Sequence, residues 1–396
     1  MTVFRAARVF TGEEVFAPGE VVLDGAHIAG VGPAPSAPGD AARGTGWSGR
    51  TPGTAPVELG DITLVPGFID AHCHGAGGVA FSEDPERVLE LHRAHGTTTA
   101  MASLVTEPLE LLHAQVRALA PLVHDGSLAG IHLEGPWLAA AHKGAHAEQH
   151  LRDPDPAEVA GVLDAARGTV RMVTLAAERA GGLRTVALLR ERGVIAALGH
   201  TGADLATARA AIAAGVTGAT HLFNAMPPLH HRAPGPILAL LEDPRVWLEV
   251  ILDGVHLAPE LIAWLFTAHA DRLILITDAM AATGCCDGAY QLGSQPVTVR
   301  GGIARIAGTQ TIAGSTLTLD AALRGAVGAG IAWRAAVRSL TVLPARYLGL
   351  RDVGTLAPGA WADLVALDRR WNVTAVWRRG AQIDTHPGVG TTAPTR

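Results

Sequence analysis

The chain has 396 residues, of which 48% are hydrophobic and 17% charged, so it is too apolar for a disordered protein and long enough to bury a large core. Its 31 Lys and Arg against 37 Asp and Glu residues give a net charge of -6, which argues against nucleic-acid and anionic-membrane partners. The sequence shows no membrane-spanning run and no secretion signal, and its three cysteines (Cys73, Cys285 and Cys286) form no disulfide framework. We therefore expect a cytoplasmic, soluble, globular protein with free thiols.

Short β-strands are predicted in the first residues of the chain. They read VFRAARVFTG and EVVLDGAHIAGVG, and Asp24-Gly25 in the second is a hairpin signal. The segment from Pro33 to Pro56 consists mainly of Pro, Gly, Ser and Ala, and we assign it no structure.

From Leu64 onward, apolar runs typical of buried strands alternate with amphipathic stretches, several of which end in glycine. The runs read LVPGFID, TTTAMASL, LAGIHLE, VRMVTLAAE, VIAALGH, TGATHLF, VWLEVILDG and RLILITDA. Eight strands alternating with helices predict an α/β fold of the (β/α)8 TIM-like barrel type. A doubly wound open sheet is the alternative, and the absence of a Gly-rich phosphate loop after the first run disfavours it.

The rest of the sequence defines the predicted domains. A β insertion is expected near residues 288–312, followed by two helices between about Thr316 and Gly349, and the segment GTLAPGAWADLVALDRRWNVTAVWRRGAQI returns to strands. Strands on both sides of a barrel most simply pair with each other. We therefore predict a small β-sandwich domain from residues 1–62 and 350–396, and a metal-dependent barrel domain over residues 63–349.

Polar residues stand at the ends of several of these runs, where the strands of a barrel converge on its active-site mouth. They are His72, His74, Glu134, His200, His221 and Asp278. Residues two apart share a face of an extended chain, so both histidines of the first run can bind one ion while Cys73 faces away. Imidazole and carboxylate donors suit zinc or a similar divalent ion, which acidifies water and polarises a carbonyl. Asp278 is the candidate base that moves the water proton.

The motifs PGFIDAHCHG, HLEGP, LGHTGAD, THLFNAM and ITDAM together resemble the N-acetylglucosamine-6-phosphate deacetylase family of the amidohydrolase superfamily. The first motif marks only the superfamily, whereas HLEGP, THLFNAM and the final aspartate, in this order, are more specific. The likeness extends from about Val22 to Val376. It implies hydrolysis of N-acetylglucosamine 6-phosphate to glucosamine 6-phosphate and acetate, in amino-sugar recycling and catabolism.

The resemblance implies that Glu134, His200 and His221 bind the principal ion and that His72 and His74 bind a second one where it is present. It implies one or two divalent ions per subunit. Zinc is the expected metal, and iron, cobalt and manganese are the alternatives. Many superfamily members bridge two ions with a carbamylated lysine. The only lysine of this chain is Lys143, nine residues after Glu134, and a glutamate ligand fits that absence.

The resemblance also implies a set of substrate contacts at the mouth of the barrel. They are Ala145 and His146 of KGAH, Asn224 and Ala225 of THLFNAM, His256 of LDGVH, and Ile312, Ala313 and Gly314 of IAGS. Arg232 corresponds to a phosphate-binding arginine that reaches in from a neighbouring subunit, which implies a homo-oligomer, most simply a dimer. The family's REPG reads RAPG here, so the arginine lacks its usual glutamate neighbour.

Other functions stay open at this point. The substrate could be the epimer N-acetylgalactosamine 6-phosphate, or the same metal site could serve an N-acyl amino acid or cyclic-amide hydrolase. The phosphate-side residues Arg232, His256 and Asn224 discriminate between these enzymes. A non-catalytic sugar-phosphate-binding protein is the third class, and the presence of every expected metal ligand together with Asp278 disfavours it.

Overall fold

The computed structural model describes residues 1–35 and 55–385 of the chain. Most of the segment from Pro33 to Pro56 that was assigned no structure lies outside the described residues, as do the last eleven positions, 386–396. Over the described ranges, no helix is both long and apolar enough to cross a membrane.

The N-terminal and C-terminal strands build two sheets. The first has the strand order β5-β4-β1-β6 and consists of β1 (Thr2–Ala6), β4 (Gly19–Asp24), β5 (His27–Pro33) and β6 (Val57–Glu58). The second has the order β23-β22-β21-β7-β2-β3 and consists of β2 (Arg8–Phe10), β3 (Val15–Phe16), β7 (Thr63–Pro66), β21 (Leu364–Leu367), β22 (Val373–Arg378) and β23 (Ala381–Ile383). The predicted hairpin is present between β4 and β5, where Gly25 has a φ of 58° that favours glycine.

A common core joins these two sheets into the predicted sandwich. Phe4 and Val21 of the first sheet and Leu64, Leu364 and Trp377 of the second belong to one cluster of buried side chains. The pairing of N-terminal with C-terminal strands is direct, because β21 runs antiparallel to β7, which runs parallel to β2.

The run LVPGFID forms two strands, not the single barrel strand that we predicted. Its first half is β7 of the sandwich, and its second half is the first barrel strand, β8 (Phe68–Asp70). Gly67 separates them, and a Cβ at this position would lie 2.1 Å from the Thr98 hydroxyl oxygen. The close packing at Gly67 therefore marks the point where the chain leaves one sheet for the other.

The predicted barrel is confirmed. Its parallel strands follow each other in chain order: β8, β11 (Thr97–Leu104), β12 (Gly130–Glu134), β13 (Val170–Leu175), β14 (Ile195–Leu198), β15 (Val216–Ala219), β16 (Trp247–Ile251) and β17 (Leu273–Ile276). A parallel bridge between Cys73 and Ala279 links the two ends of the series, and the Asp278 N–H donates to the His72 carbonyl at 2.9 Å. A short hairpin, β9 (Gly75–Ala76) and β10 (Val79–Ala80), follows the first barrel strand.

Helices connect the strands. They are α1 (Pro85–Ala94), α2 (Leu109–His124), α3 (Pro156–Ala165), α4 (Gly182–Glu191), α5 (Leu205–Ala214), α6 (Gly235–Glu242) and α7 (Pro259–His269). Local sequence sets several ends: the Asp204 side chain caps α5 by accepting from the Thr207 N–H at 2.8 Å, and Gly215 ends the same helix with a φ of 138°. Short 3₁₀ turns lie at Ala140–His142 and Glu148–His150.

The insertion after the eighth barrel strand is an antiparallel sheet of β18 (Gly288–Leu292), β19 (Gln295–Arg300) and β20 (Ile303–Ile306). The two helices predicted next are in fact three: α8 (Leu319–Gly328), α9 (Trp333–Arg338) and α10 (Val342–Tyr347). Pro344 favours the extra break, because a proline inside a helix loses a backbone hydrogen bond and is best accommodated in the first turn. Pro344 lies in the first turn of α10, which begins at Val342.

The described residues divide into two compact units. One holds the described residues of Met1–Ile69, His92–Thr99 and 319–385, and the other holds Asp70–Leu91 and Ala100–Thr318. The last three helices thus group with the strands of the sandwich, whereas the predicted boundary at residue 350 assigned them to the barrel domain.

Candidate metal centre and active site

The six predicted metal-site residues are buried at the carboxyl ends of barrel strands. Glu134 is the last residue of β12, and four others occupy the second position after their strands. These four are His72 after β8, His200 after β14, His221 after β15 and Asp278 after β17. His74 follows His72 by two residues, and the most exposed of the six side chains, Asp278, belongs to a residue only 8% accessible.

Glu134 faces a different group of donors with each of its oxygens. Its Oε1 lies 3.1 Å from His200 Nε2 and 3.0 Å from His221 Nε2. Its Oε2 lies 3.1 Å from His74 Nε2 and 3.5 Å from His72 Nε2. Asp278 Oδ1 completes the second group at 3.1 Å from His74 Nε2. Two donor groups thus share one carboxylate.

The chemistry of both groups fits divalent cations. Within each group, the donor atoms lie within 4.8 Å of one another, and all the residues are buried. The Nε2 atoms of His200 and His221 are 3.0 Å apart, and those of His72 and His74 are 3.1 Å apart. Tetrahedral zinc with bonds of about 2.0–2.1 Å places its nitrogen ligands roughly 3.3 Å apart, so the imidazoles are spaced as ligands of a common ion.

Backbone carbonyl groups fix the orientation of two of these imidazoles. His74 Nδ1 lies 3.1 Å from the Ser103 carbonyl oxygen, and His200 Nδ1 lies 2.8 Å from that of His142. Because a carbonyl only accepts, the ring proton of each histidine stays on Nδ1 and the Nε2 lone pair faces the donor group.

Electrostatics at the site favour the binding of positive charge. Burial opposes ionisation of Glu134 and Asp278, but the charge of His72 and the other imidazole contacts outweigh it and hold the pKa of both carboxyls below the usual range. Burial also opposes a charged His74, yet hydrogen bonds with Asp278 and Glu134 outweigh it and raise its pKa to about 9 when no cation is bound, so a cation at Nε2 replaces a proton there. Burial lowers the pKa of His200 to about 4. The two carboxylates thus stay ionised and attract cations.

Three of these residues have a left-handed backbone. The φ angles are 47° at His200, 30° at His221 and 50° at Asp278. Such values cost a non-glycine residue about 1–3 kcal/mol. The strain turns each side chain into the barrel mouth immediately after its strand, and nothing in the residue pattern signals it.

A cavity of about 400 Å³ opens onto this centre. Most of the predicted substrate residues line it: Ala145, His146, Asn224, Ala225, His256, Ile312 and Gly314. Ala313 does not, because it is buried in an apolar cluster with Met280 and Val297. Arg232 is exposed outside the cavity of its own chain, with Nη1 2.8 Å from His231 Nε2.

His146 is set up as a hydrogen-bond donor at the cavity wall. The Thr106 N–H donates to His146 Nδ1 at 3.3 Å, so the ring proton is on Nε2. That nitrogen lies 3.5 Å from Glu134 Oε2. A substrate oxygen beside the metal centre would therefore meet an N–H group.

His256 is held by Asp253. The Asp253 carboxylate accepts from the Val255 and His256 N–H groups at 2.8 and 2.9 Å and contacts His256 Nδ1 at 2.7 Å. Burial works against a charged His256, but the contact with Asp253 outweighs it and raises the pKa. The cavity wall thus carries an imidazole whose charged form is favoured by its contact with Asp253.

Sequence reasoning missed part of the cavity wall. The residues missed come from loops and from the β insertion, where no periodic pattern indicates which way a side chain points. They are Thr106, His142, Ser294, Gln295 and Gln310. No Lys or Arg occurs among the described residues that line the cavity.

A (β/α)8 barrel with imidazole and carboxylate donors converging at the carboxyl ends of its strands defines the class of metal-dependent barrel hydrolases. The chain belongs to the amidohydrolase family, whose model matches residues 63–383. The family resemblance found in the motifs is thereby confirmed.

Relatives with named activities cover most of the chain. The N-acetylglucosamine-6-phosphate deacetylase of Bos taurus is 38% identical over 346 residues, covering 82% of this chain and 84% of that protein. The N-acetylgalactosamine-6-phosphate deacetylase of Escherichia coli is 38% identical over 327 residues, covering 80% and 86%. A solved N-acetyl-D-glucosamine-6-phosphate deacetylase from Mycobacterium smegmatis, a variant in complex with N-acetyl-D-glucosamine-6-phosphate, is 48% identical, with a TM-score of 0.90 and coverage of 96% and 99%.

Proposed function

We propose that this chain is a metal-dependent deacetylase that converts N-acetylglucosamine 6-phosphate and water to glucosamine 6-phosphate and acetate, a reaction of amino-sugar recycling and catabolism. One observation carries the proposal: Glu134, His146, Asp278 and the imidazole ligands converge on a cavity of about 400 Å³, which His256 also lines. The solved M. smegmatis relative, with this sugar phosphate bound, supports the same substrate class.

The proposed cofactor is zinc, with Glu134, His200 and His221 at the principal site. His72 and His74 would hold a second ion together with Glu134 and Asp278, so that Glu134 serves both. A bound divalent ion supplies the acidification of water and the polarisation of the amide carbonyl.

The protein's own residues perform the proton transfers. Asp278, ionised and facing the cavity, accepts a proton from the attacking water and later donates it to the nitrogen of the departing amine. The His146 Nε2–H group donates to the carbonyl oxygen as that oxygen becomes negative. The C–N bond breaks, a C–O bond forms, and the products are acetate and the free amino sugar.

We propose that the phosphate is bound by His256, by the backbone N–H groups of Asn224 and Ala225, and by Arg232 of a neighbouring subunit. The absence of Lys and Arg among the described lining residues supports an arginine supplied from outside. The enzyme would then work as a homodimer. No disulfide joins Cys73, Cys285 and Cys286 in the part of the chain that the structure describes, which is consistent with a reducing cytoplasm.

A second substrate has a specific observation in its favour. The E. coli relative acts, by its name, on N-acetylgalactosamine 6-phosphate and is 38% identical to this chain, as is the bovine N-acetylglucosamine-6-phosphate enzyme. The galacto epimer is therefore the competing substrate.

The test is acetate release from the two phosphorylated sugars and from unphosphorylated N-acetylglucosamine, with zinc-loaded and chelated protein. We expect turnover of N-acetylglucosamine 6-phosphate that chelation abolishes and zinc restores. Faster turnover of the galacto epimer would move the proposal to that substrate. Absence of acetate from every sugar, in protein with bound zinc, would reject the deacetylase function.

A further inference from the structure

Glu249 is a fully buried carboxylate inside the barrel. It is the central residue of β16, within the run VWLEVILDG, and has 0% exposure. A charged residue in the middle of a barrel strand needs a reason, because buried carboxylates cost folding free energy unless they are paired.

Among the described residues, the Glu249 side chain has one polar partner, the predicted metal ligand His72. Glu249 Oε2 lies 3.3 Å from His72 Nδ1, and neither side chain is accessible to solvent. The opposite nitrogen of the same ring, Nε2, faces the metal centre, 3.5 Å from both Glu134 Oε2 and Asp278 Oδ1. His72 therefore connects Glu249 to the metal centre.

The second oxygen of Glu249, Oε1, makes no hydrogen bond with the described residues that would stabilise the fold. A buried acceptor without a partner is unfavourable, and an apolar side chain of similar size would avoid that cost. Packing and hydrogen bonding of the barrel thus do not account for a glutamate here, whereas its contact with His72 does.

We propose that Glu249 is a positioning residue of the metal centre: it accepts the Nδ1 proton of His72 and so keeps the Nε2 lone pair directed at the cation shared with His74. The inference rests on the metal centre of the proposed function. Carbonyl oxygens do the same for His74 and His200. A proton on Nε2 of His72 would instead occupy the position of the ion.

The His132 ring also restrains His72, through an edge-to-face contact. The His132 ring packs against it at 4.5 Å between centroids and at 81°, and is itself fixed by Ser103 Oγ at 2.9 Å and Thr174 Oγ1 at 2.8 Å. Because His132 restrains the ring plane, loss of Glu249 is expected to change the tautomer of His72 and to leave the fold intact.

Two variants test the role of Glu249. Glu249→Leu removes the acceptor, and Glu249→Gln keeps an oxygen that accepts from Nδ1 while removing the charge. Thr169→Val is the matched control, since it also replaces a buried polar group of the barrel, but at the amino end of β13, where its hydroxyl donates to the Ala166 carbonyl at 2.6 Å. Zinc stoichiometry and affinity are measured by elemental analysis and titration calorimetry, melting temperature by calorimetry, and the His72 tautomer by ¹⁵N NMR.

We expect two zinc ions per chain in the wild type and in Thr169→Val. Glu249→Leu should retain the ion of Glu134, His200 and His221 and bind the other about 10–100-fold more weakly, with a melting temperature no lower than that of Thr169→Val. Glu249→Gln should recover part of that affinity and keep the Nδ1–H tautomer.

Three results would overturn the inference: unchanged zinc affinity in Glu249→Leu, an equal loss in Thr169→Val, or a zinc-loaded wild type in which Nδ1 of His72 carries no proton. Wild-type protein that binds no zinc at all would instead reject the metal-dependent function, so the two failures are distinguishable. If Glu249→Leu does not fold, Glu249→Gln with a wild-type affinity and tautomer supports the acceptor role, and the Nε2–H tautomer in that variant contradicts it.

Discussion

Asp278 combines two properties that a proton shuttle needs, ionisation and access to the substrate. Its carboxylate lies 3.1 Å from His74 Nε2, lines the cavity and has a pKa held below the usual range. We expect Asp278→Asn to lower kcat by about 10²–10⁴-fold with little change in melting temperature. Steady-state kinetics with a zinc count checks this. Full turnover in the variant would exclude the shuttle role, and a kcat that recovers when the second site is saturated with zinc would identify Asp278 mainly as a ligand of that ion.

At the residue scale, the sequence predicts those site residues whose position follows from the strand pattern. Glu134, His200, His221 and Asp278 could be placed together because each comes at or directly after an apolar run. Their left-handed backbones could not be predicted, since φ depends on the turn that follows. The orientation of loop residues could not be predicted either. In IAGS, Ile312 and Gly314 line the cavity, whereas Ala313 between them is buried in an apolar cluster. A signal was available for Glu249, because it is an acid at the centre of a buried run.

At the element scale, close packing between strand ends positions His200. Gly199 precedes it, and a Cβ there would lie 2.7 Å from Thr220 Cβ and 3.0 Å from Thr174 Cγ2. Both neighbours are buried and β-branched, so they cannot easily move. We expect Gly199→Ala to destabilise the fold by about 1–3 kcal/mol and to weaken zinc binding at His200, as measured by denaturant unfolding and zinc titration.

The matched control for this prediction is Gly328→Ala in α8. That glycine has no heavy atom within 4 Å of its hypothetical Cβ and no positive φ, so alanine should be neutral or stabilising by up to about 1 kcal/mol. Equal stability of the Gly199→Ala protein and the wild type would show that the strand ends are looser than their contacts imply.

The elements themselves were predictable where periodicity and length agree. Eight apolar runs gave eight barrel strands, because each run is bounded by turn residues and buried along its length. The errors lie where one uniform stretch of sequence is divided between two structural elements. LVPGFID is divided between two sheets at Gly67, and the helical segment before Pro344 is broken, in each case by a constraint that spans only one or two residues.

At the scale of the whole molecule, Arg232 raises the question of whether one chain contains a complete site. It is exposed and is not part of the cavity wall of its own chain. We expect Arg232→Ala to lower kcat/KM for the phosphorylated sugar by about 10–100-fold, the effect of losing a hydrogen bond to a charged group worth about 1.5–3 kcal/mol, mostly through KM. Arg192→Ala, which removes an exposed arginine paired with Asp164, is the control and should be silent.

Mixing two variants decides whether the arginine acts across subunits. In a dimer of one Arg232→Ala and one Asp278→Asn chain, an arginine donated across the two-fold axis leaves one site with both residues intact and one with neither. Random assembly of equal amounts gives half such dimers, so about a quarter of wild-type activity should appear at low substrate, well above that of either parent. An arginine acting within its own chain leaves every site defective. Activity equal to the mean of the parents after subunit exchange would therefore contradict donation across the interface.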